Sequence, residues 1–255
     1  MNKIKKAFEN KKALITYITA GDPNLEKTKE FIIAMAQNGA DLIEVGIPFS
    51  DPIAEGDVIQ SAMERALKNK ISIDDIFSVI VEARKTVDIP IVFMTYLNPV
   101  FSYGYARFFK KCKESGISGI IVPDMPFEEQ DEIKESAQKN EVAVITLIAP
   151  TSKERISILA KNAQGFIYLI SSLGVTGVRE KITTDIGAII KQIREQTDVP
   201  VGVGFGISTP QQAKEISNFA DGIIIGSAIV KIIAQYKEEA APKIAEYISS
   251  IKEVL

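Results

Sequence analysis

The chain has 255 residues, 46% hydrophobic and 25% charged, ordinary globular proportions that allow one large α/β domain or two small ones. A formal net charge of −3 gives no basis for nucleic-acid binding, which usually needs a basic patch, and the single cysteine, Cys112, excludes an internal disulfide and reads as a packed thiol. There is no histidine, so acid–base chemistry would fall to Asp, Glu, Tyr, Lys or Cys, and a transition-metal site is not expected.

The opening MNKIKKAFENKK is short, charged and amphipathic, with no apolar run behind it, and does not read as a secretory signal. Eight short β-branched runs follow, beginning near Ala13, Asp41, Ile89, Ser118, Val142, Gly165, Val199 and Asp221, each trailed by a helix-like segment. Asn38–Gly39 marks the end of the first of these helices. The wide gap after the second strand predicts an additional helix over roughly Ser72 to Thr86. Thr151 with Glu154, and Thr209 with Pro210 and Gln212, carry capping-box patterns. The apolar stretch from Phe219 to Tyr236 is interrupted by Asp221, Gly226 and Lys231 and reads as buried core rather than a membrane span. Together these features point to a soluble, cytoplasmic protein.

Strands alternating with helices imply a parallel sheet. Eight β/α units in 255 residues match a (β/α)8 TIM barrel, with extra helices at the N-terminus and after strand two. A doubly wound open sheet is the competitor. No composition break or linker divides the chain, so a single domain over 1–255 is expected, and no Gly-rich dinucleotide fingerprint follows strand one.

In a barrel the active site lies at the C-terminal ends of the strands, and four places there stand out. In DLIEVGI, alternation puts Leu42, Glu44 and Gly46 on one face and Ile43, Val45 and Ile47 on the other. Glu44 therefore points into the barrel, either as a desolvated proton carrier or as a structural carboxylate paired to a lysine or to backbone groups. The segment Ile47 to Asp57 is long for a βα loop and offers Asp51, Glu55 and Asp57, as catalytic groups or as caps for a helix starting near Val58. Gly202 to Ser208 and Gly226–Ser227 each precede a helix after strands seven and eight, where free N–H groups and the helix dipole suit a phosphate, although glycine turns are common. The stretch SSLGVTGVREKITTD after strand six reads as a lid hinged at Gly174 and Gly177, or as an ordinary surface loop, and not as helix until about Thr183.

IEVGIPFSDPIAEG resembles the strand-two signature of the tryptophan synthase alpha subunit family, and YITAGDP, VPDMP, YLISSLGVTG, GVGFGIS and GSAIV match its other motifs in order. The resemblance implies cleavage of indole-3-glycerol phosphate to indole and glyceraldehyde 3-phosphate. Glu44 would be the catalytic glutamate that protonates indole C3. Glu55 would be the second carboxylate, holding the indole N–H, at a position usually occupied by aspartate. Glutamate keeps the charge and adds roughly 1.5 Å of reach. Tyr17, Thr19, Tyr96 and Tyr168 would contact the substrate, with Tyr17 replacing a frequent phenylalanine, and Thr176 would be the lid threonine. Gly177, Gly206, Gly226 and Ser227 match phosphate-binding positions, while Ser172 stands where some members carry arginine. The family also implies a pyridoxal phosphate-dependent beta subunit in an αββα assembly, reached through Asp51, Asn98, Pro99 and Asp124, with no cofactor in this chain. Two rivals remain at this point. One is another phosphate-binding barrel enzyme, against which stand the missing histidines and the absence of lysine at the strand ends. The other is a non-catalytic binding subunit.

Overall fold

The structure, a computed structural model, describes residues 3–150, 155–170, 180–204 and 206–255, with the backbone alone at 180–185. Eight parallel strands close on themselves: β1 (Ala13–Thr19), β2 (Leu42–Gly46), β3 (Ile91–Met94), β4 (Ile117–Ile121), β5 (Ala143–Ile148), β6 (Gln164–Ile170), β7 (Val201–Gly204) and β8 (Gly222–Ile225). The pairing of β1 with β8, Ala13 opposite Gly222 through Thr16 opposite Ile225, excludes the open sheet. This is a TIM barrel.

Side-chain alternation sorts the core into two layers. Leu14, Ile18, Ile43, Val45, Phe93 and Val203 face outward into the large cluster shared with the helices. Ala13, Ile15, Leu42, Val92, Ile121, Phe166 and Ile224 face inward. The N-terminal segment is part of that inner layer. α1 (Lys3–Ala7) inserts Ile4 into the lower end of the barrel, and Phe8 lies on Phe166 with ring centroids 5.8 Å apart. Glycine makes this plug possible: a methyl group at Gly165 would stand 3.1 Å from Ile4 Cδ1, and one at Gly222 2.8 Å from the Phe8 ring.

The outer ring begins with α2 (Leu25–Gln37), capped by the Asn24 side chain on Lys27 N–H at 2.9 Å and ended at Asn38–Gly39, where Gly39 takes φ +114. Phe31, Ile32 and Met35 of this helix are fully buried, each contributing about 1.5–3 kcal/mol. Two helices fill the gap between β2 and β3: α3 (Asp57–Leu67) and α4 (Ile73–Arg84), the latter opened by a reciprocal Ser72–Asp75 capping box. α5 (Leu97–Tyr103) and α6 (Tyr105–Ser115) follow β3, and Cys112 of α6 is buried as a packed thiol. The ring continues with α7 (Asp131–Lys139), α8 (Ile156–Lys161), α9 (Glu180–Arg194), α10 (Pro210–Ser217), α11 (Ser227–Tyr236) and α12 (Ala240–Lys252).

Two sequence expectations need correction. α9 is helical from Glu180, three residues before Thr183: Glu180 and Lys181 are strong helix formers and extend the helix by most of a turn. The capping box at α10 is half formed: Thr209 Oγ1 accepts from Gln212 N–H, but the Gln212 amide oxygen accepts from Ser208 N–H at 2.9 Å instead of from Thr209. The Thr151–Glu154 pattern lies outside the described residues. Residues 219–236 become a turn, β8 and α11, and among the described residues no helix is long and apolar enough to cross a membrane.

Candidate active site

β2 places Glu44 between Tyr17 of β1 and Val92 of β3, on the inner face. Ile43, Val45 and Ile47 pack outward as the alternation requires. Glu44 is 1% exposed, its Oε1 has no hydrogen-bond partner, and no ion pair reaches it among the described residues. Burial without compensation penalises the charged form and pushes its pKa up to about 8. Among the described residues no lysine or backbone group ties this carboxylate down.

Two tyrosines flank Glu44, and glycines on neighbouring strands make room for them. A methyl group at Gly46 would collide with the Tyr17 hydroxyl, and one at Gly204 would stand 2.6 Å from the Tyr168 hydroxyl. Tyr17 shares a hydrogen bond with Thr19 Oγ1 at 3.1 Å. Burial raises both phenol pKa values, and the electrostatic influence of Glu44 on each places the three groups in one field. Sequence reasoning missed the part played by Gly46 and Gly204. The available signal was a glycine inside a strand, next in register to a strand carrying an inward tyrosine.

The loop from β2 to α3 folds back over this face. Ile53 and Ala54 donate their N–H groups to the Tyr96 hydroxyl, each at 2.9 Å, and Tyr96 in turn donates to Glu55 Oε2. Glu55 is thereby brought, on a loop and not a strand, into the electrostatic field of Tyr17 and Tyr168. Burial raises its pKa, a rise opposed first by the Tyr96 hydrogen bond. Its Oε1 is buried without a partner among the described residues. The acids of this loop do not cap α3, whose N-cap is Gly56 with no side-chain bond. Asp124, after β4, accepts Leu97 N–H at 3.0 and 3.2 Å and so caps α5 from outside the helix. Asp51 and Asn98 are exposed and Pro99 half-buried, beside Ile53 and Phe101, which are 78% and 66% exposed.

On the other side of the mouth, Gly204 of β7 pairs with Ile224 of β8, and Gly206 and Gly226 lie two residues beyond that pair. Gly206 takes φ +81 with open space where a side chain would be. Gly226 is the N-cap of α11 and makes no side-chain cap, which leaves the first-turn N–H groups to an outside acceptor, with the exposed Ser227 hydroxyl beside them. Tyr247 of α12 donates to Ser208 O at 2.9 Å and holds this loop from behind. Thr176, Gly177, Gly174 and Ser172 lie outside the described residues. Sequence reasoning also missed a clamp on the loop after β1: Arg65 of α3 makes a bidentate pair with the buried Asp22, at 2.9 and 2.7 Å. Among the described residues there is no cluster of three or more metal-ligating side chains.

Comparison with known proteins matches nearly the whole chain to one family. The family described as "Tryptophan synthase alpha chain" matches residues 3–254. The tryptophan synthase alpha chain of Thermoanaerobacter sp. (strain X514) is 47% identical over 100% of both chains. That of Lacticaseibacillus casei is 44% identical over 99% of this chain and 95% of the relative. Among solved structures, tryptophan synthase subunit alpha from Legionella pneumophila str. Paris superposes with a TM-score of 0.91 at 38% identity, covering 100% of this chain and 98% of that one. A chain of the tryptophan synthase a2b2 complex from Pyrococcus furiosus superposes with a TM-score of 0.87 at 36% identity, covering 94% and 97%. Matched by the family over residues 3–254 and by relatives along its whole length, the chain belongs to the tryptophan synthase alpha chain family.

Proposed function

We propose that the barrel mouth is the lyase site that splits indole-3-glycerol phosphate into indole and glyceraldehyde 3-phosphate. The observation that carries this reading is Glu44: a buried carboxyl in the middle of β2, turned to the inner face, with an oxygen that has no hydrogen-bond partner among the described residues, and with a pKa that burial pushes up to about 8. It delivers its proton to indole C3 and leaves an indolenine-like ring. The carboxylate then takes the proton of the neighbouring glycerol hydroxyl. As that oxygen forms the aldehyde, the carbon–carbon bond breaks and its electron pair restores the indole ring. Glu55 accepts the indole N–H and stabilises the positive ring, while Tyr17, Thr19, Tyr96 and Tyr168 enclose it. Gly206, Gly226 and Ser227 receive the phosphate, joined by Gly177, with Thr176 closing over the site.

The side chains of this chain suffice for the step, and pyridoxal phosphate belongs to a beta subunit that receives the indole. Asp51, Asn98, Pro99 and Asp124 form the docking face for it. The exposed Ile53 and Phe101 support this, since apolar side chains of that size standing in water mark a surface that a partner covers.

The test is indole release from indole-3-glycerol phosphate by the wild type and Glu44→Gln, each with and without a beta subunit. The wild type should release indole, faster with beta present. The Gln variant should lose about 10²–10⁴-fold while still binding the phosphate ligand. Because the acid form of Glu44 starts the reaction, wild-type activity should decline as pH rises past about 8. Silence from both proteins, with beta present and ligand bound, would replace the enzyme by a binding subunit.

A further inference from the structure

The Tyr96 hydroxyl has one hydrogen to give and two lone pairs to receive with. Both lone pairs face donors, the N–H groups of Ile53 and Ala54. Its hydrogen is therefore directed to Glu55 Oε2. The ring that carries this hydroxyl is 1% exposed, packs against Phe49 with centroids 5.2 Å apart, and is followed at once by Leu97, whose N–H is fixed by Asp124. Glu55 Oε1, on the other side of the same carboxyl, is buried and has no partner among the described residues.

We propose that Tyr96 is a positioning residue for the second carboxylate: it fixes Glu55 Oε2 so that Oε1 is kept as the acceptor for the N–H of the substrate ring. This rests on the cleavage reading above and adds to it the device that lets a glutamate serve on this loop. The longer side chain has one more rotatable bond than aspartate, and the phenol removes that freedom before substrate arrives. The same hydrogen bond favours the ionised form of Glu55 against its burial. Asp124 after β4 raises the Glu55 pKa, and Glu44 from β2 and Glu55 together act on Tyr17 from β1 and Tyr168 from β6; Asp51 and Asp57 are the other acids of its own loop.

The experiment compares wild type, Tyr96→Phe, Glu55→Gln and the double variant in indole release, and follows the Glu55 carboxyl carbon by NMR through a pH titration of each free protein. Tyr96→Phe should lower kcat about tenfold to a hundredfold with KM little changed, and should raise the Glu55 pKa, moving the acid limb of the rate profile to higher pH. In the Glu55→Gln background the same change should cost nothing further. Replacing Tyr96 by 3,5-difluorotyrosine, a stronger donor of the same shape, should move the Glu55 pKa the other way and keeps the test open if the Phe variant misfolds. An unmoved Glu55 titration, or an undiminished penalty in the Gln background, would show that Tyr96 merely anchors the loop. A wild type that releases no indole would defeat the cleavage reading, whereas the carboxyl titration would still decide for or against Tyr96.

Discussion

Asp41 immediately precedes β2 at its lower end and Glu44 is the central residue of the strand, on the face turned into the barrel; both are buried, 7% and 1% exposed. Asp41, at the lower end, accepts from Lys11 and Lys252, each at 2.5 Å, and from Leu14 N–H at 2.8 Å. Glu44 has an oxygen with no hydrogen-bond partner and no cation beside it among the described residues. The same functional group is thus spent on structure in one place and left available in the other. What separates the two is the list of partners, not the depth of burial: the carboxylate of Asp41 is satisfied by two lysines and a backbone N–H and ties elements together, whereas burial without such partners raises the pKa of Glu44. The lower end is filled by Ile4 and Phe8 as well, so the barrel has one sealed end and one reactive end.

The sharpest way to break this contrast is Asp41→Asn. It should cost about 3 kcal/mol in denaturant unfolding, at the low end for a broken buried pair because Lys11 and Lys252 are 44% and 30% exposed and regain water. Indole release per folded molecule should be unchanged, and a matching loss of kcat would mean that the two ends are not independent. Glu44→Gln should act oppositely on stability. The folded pKa of Glu44 is raised from 4.5 to about 8, so its contribution is most favourable below 4.5 and is lost as pH climbs through 8. The Gln variant should therefore gain on the wild type across that window, reaching roughly 2 kcal/mol at pH 9 once the cost of burying the amide is allowed for. Melting curves at pH 5 and pH 9 measure it, and a gap that narrows with pH would contradict the raised pKa. The smallest effect is expected from Ile4→Val, about 1 kcal/mol for one methylene lost from the plug. Activity should again be spared, and a lowered kcat would show that the seal reaches the mouth.

Much of the contrast was legible before any coordinates. The eight strands lie where the β-branched runs place them, because inward and outward residues of a closed parallel barrel are both apolar and leave continuous runs. Glu44 was visible as the single charge on an otherwise apolar strand. Tyr96, Tyr17 and Tyr168 could be assigned to the mouth only by resemblance, since aromatic residues in strands are ordinary. Their hydroxyl partners were not legible at all. Tyr96 and Glu55 are 41 positions apart, as Asp22 and Arg65 are 43, and pairing over such distances follows from barrel closure and loop path, not from local pattern. Asp41 shows the same limit. Beside a strand it reads as a cap or a solvated acid, and its two lysines arrive from segments near either extreme of the chain.

That last arrangement gives the barrel a seam that its geometry does not register. Lys11 precedes β1, Lys252 ends α12, and both meet on one carboxylate, with the Lys252 ammonium also 3.3 Å from Lys12 O. Segments at the two extremes of the numbering are thus neighbours in space, on the face away from the mouth. A short covalent link between them, with the chain cut instead at a lower-face turn such as Asn140–Glu141 between α7 and β5, would permute the sequence circularly. Every mouth residue would remain on an uninterrupted β/α unit, so the choice of which strand comes first is open to redesign without reference to the chemistry.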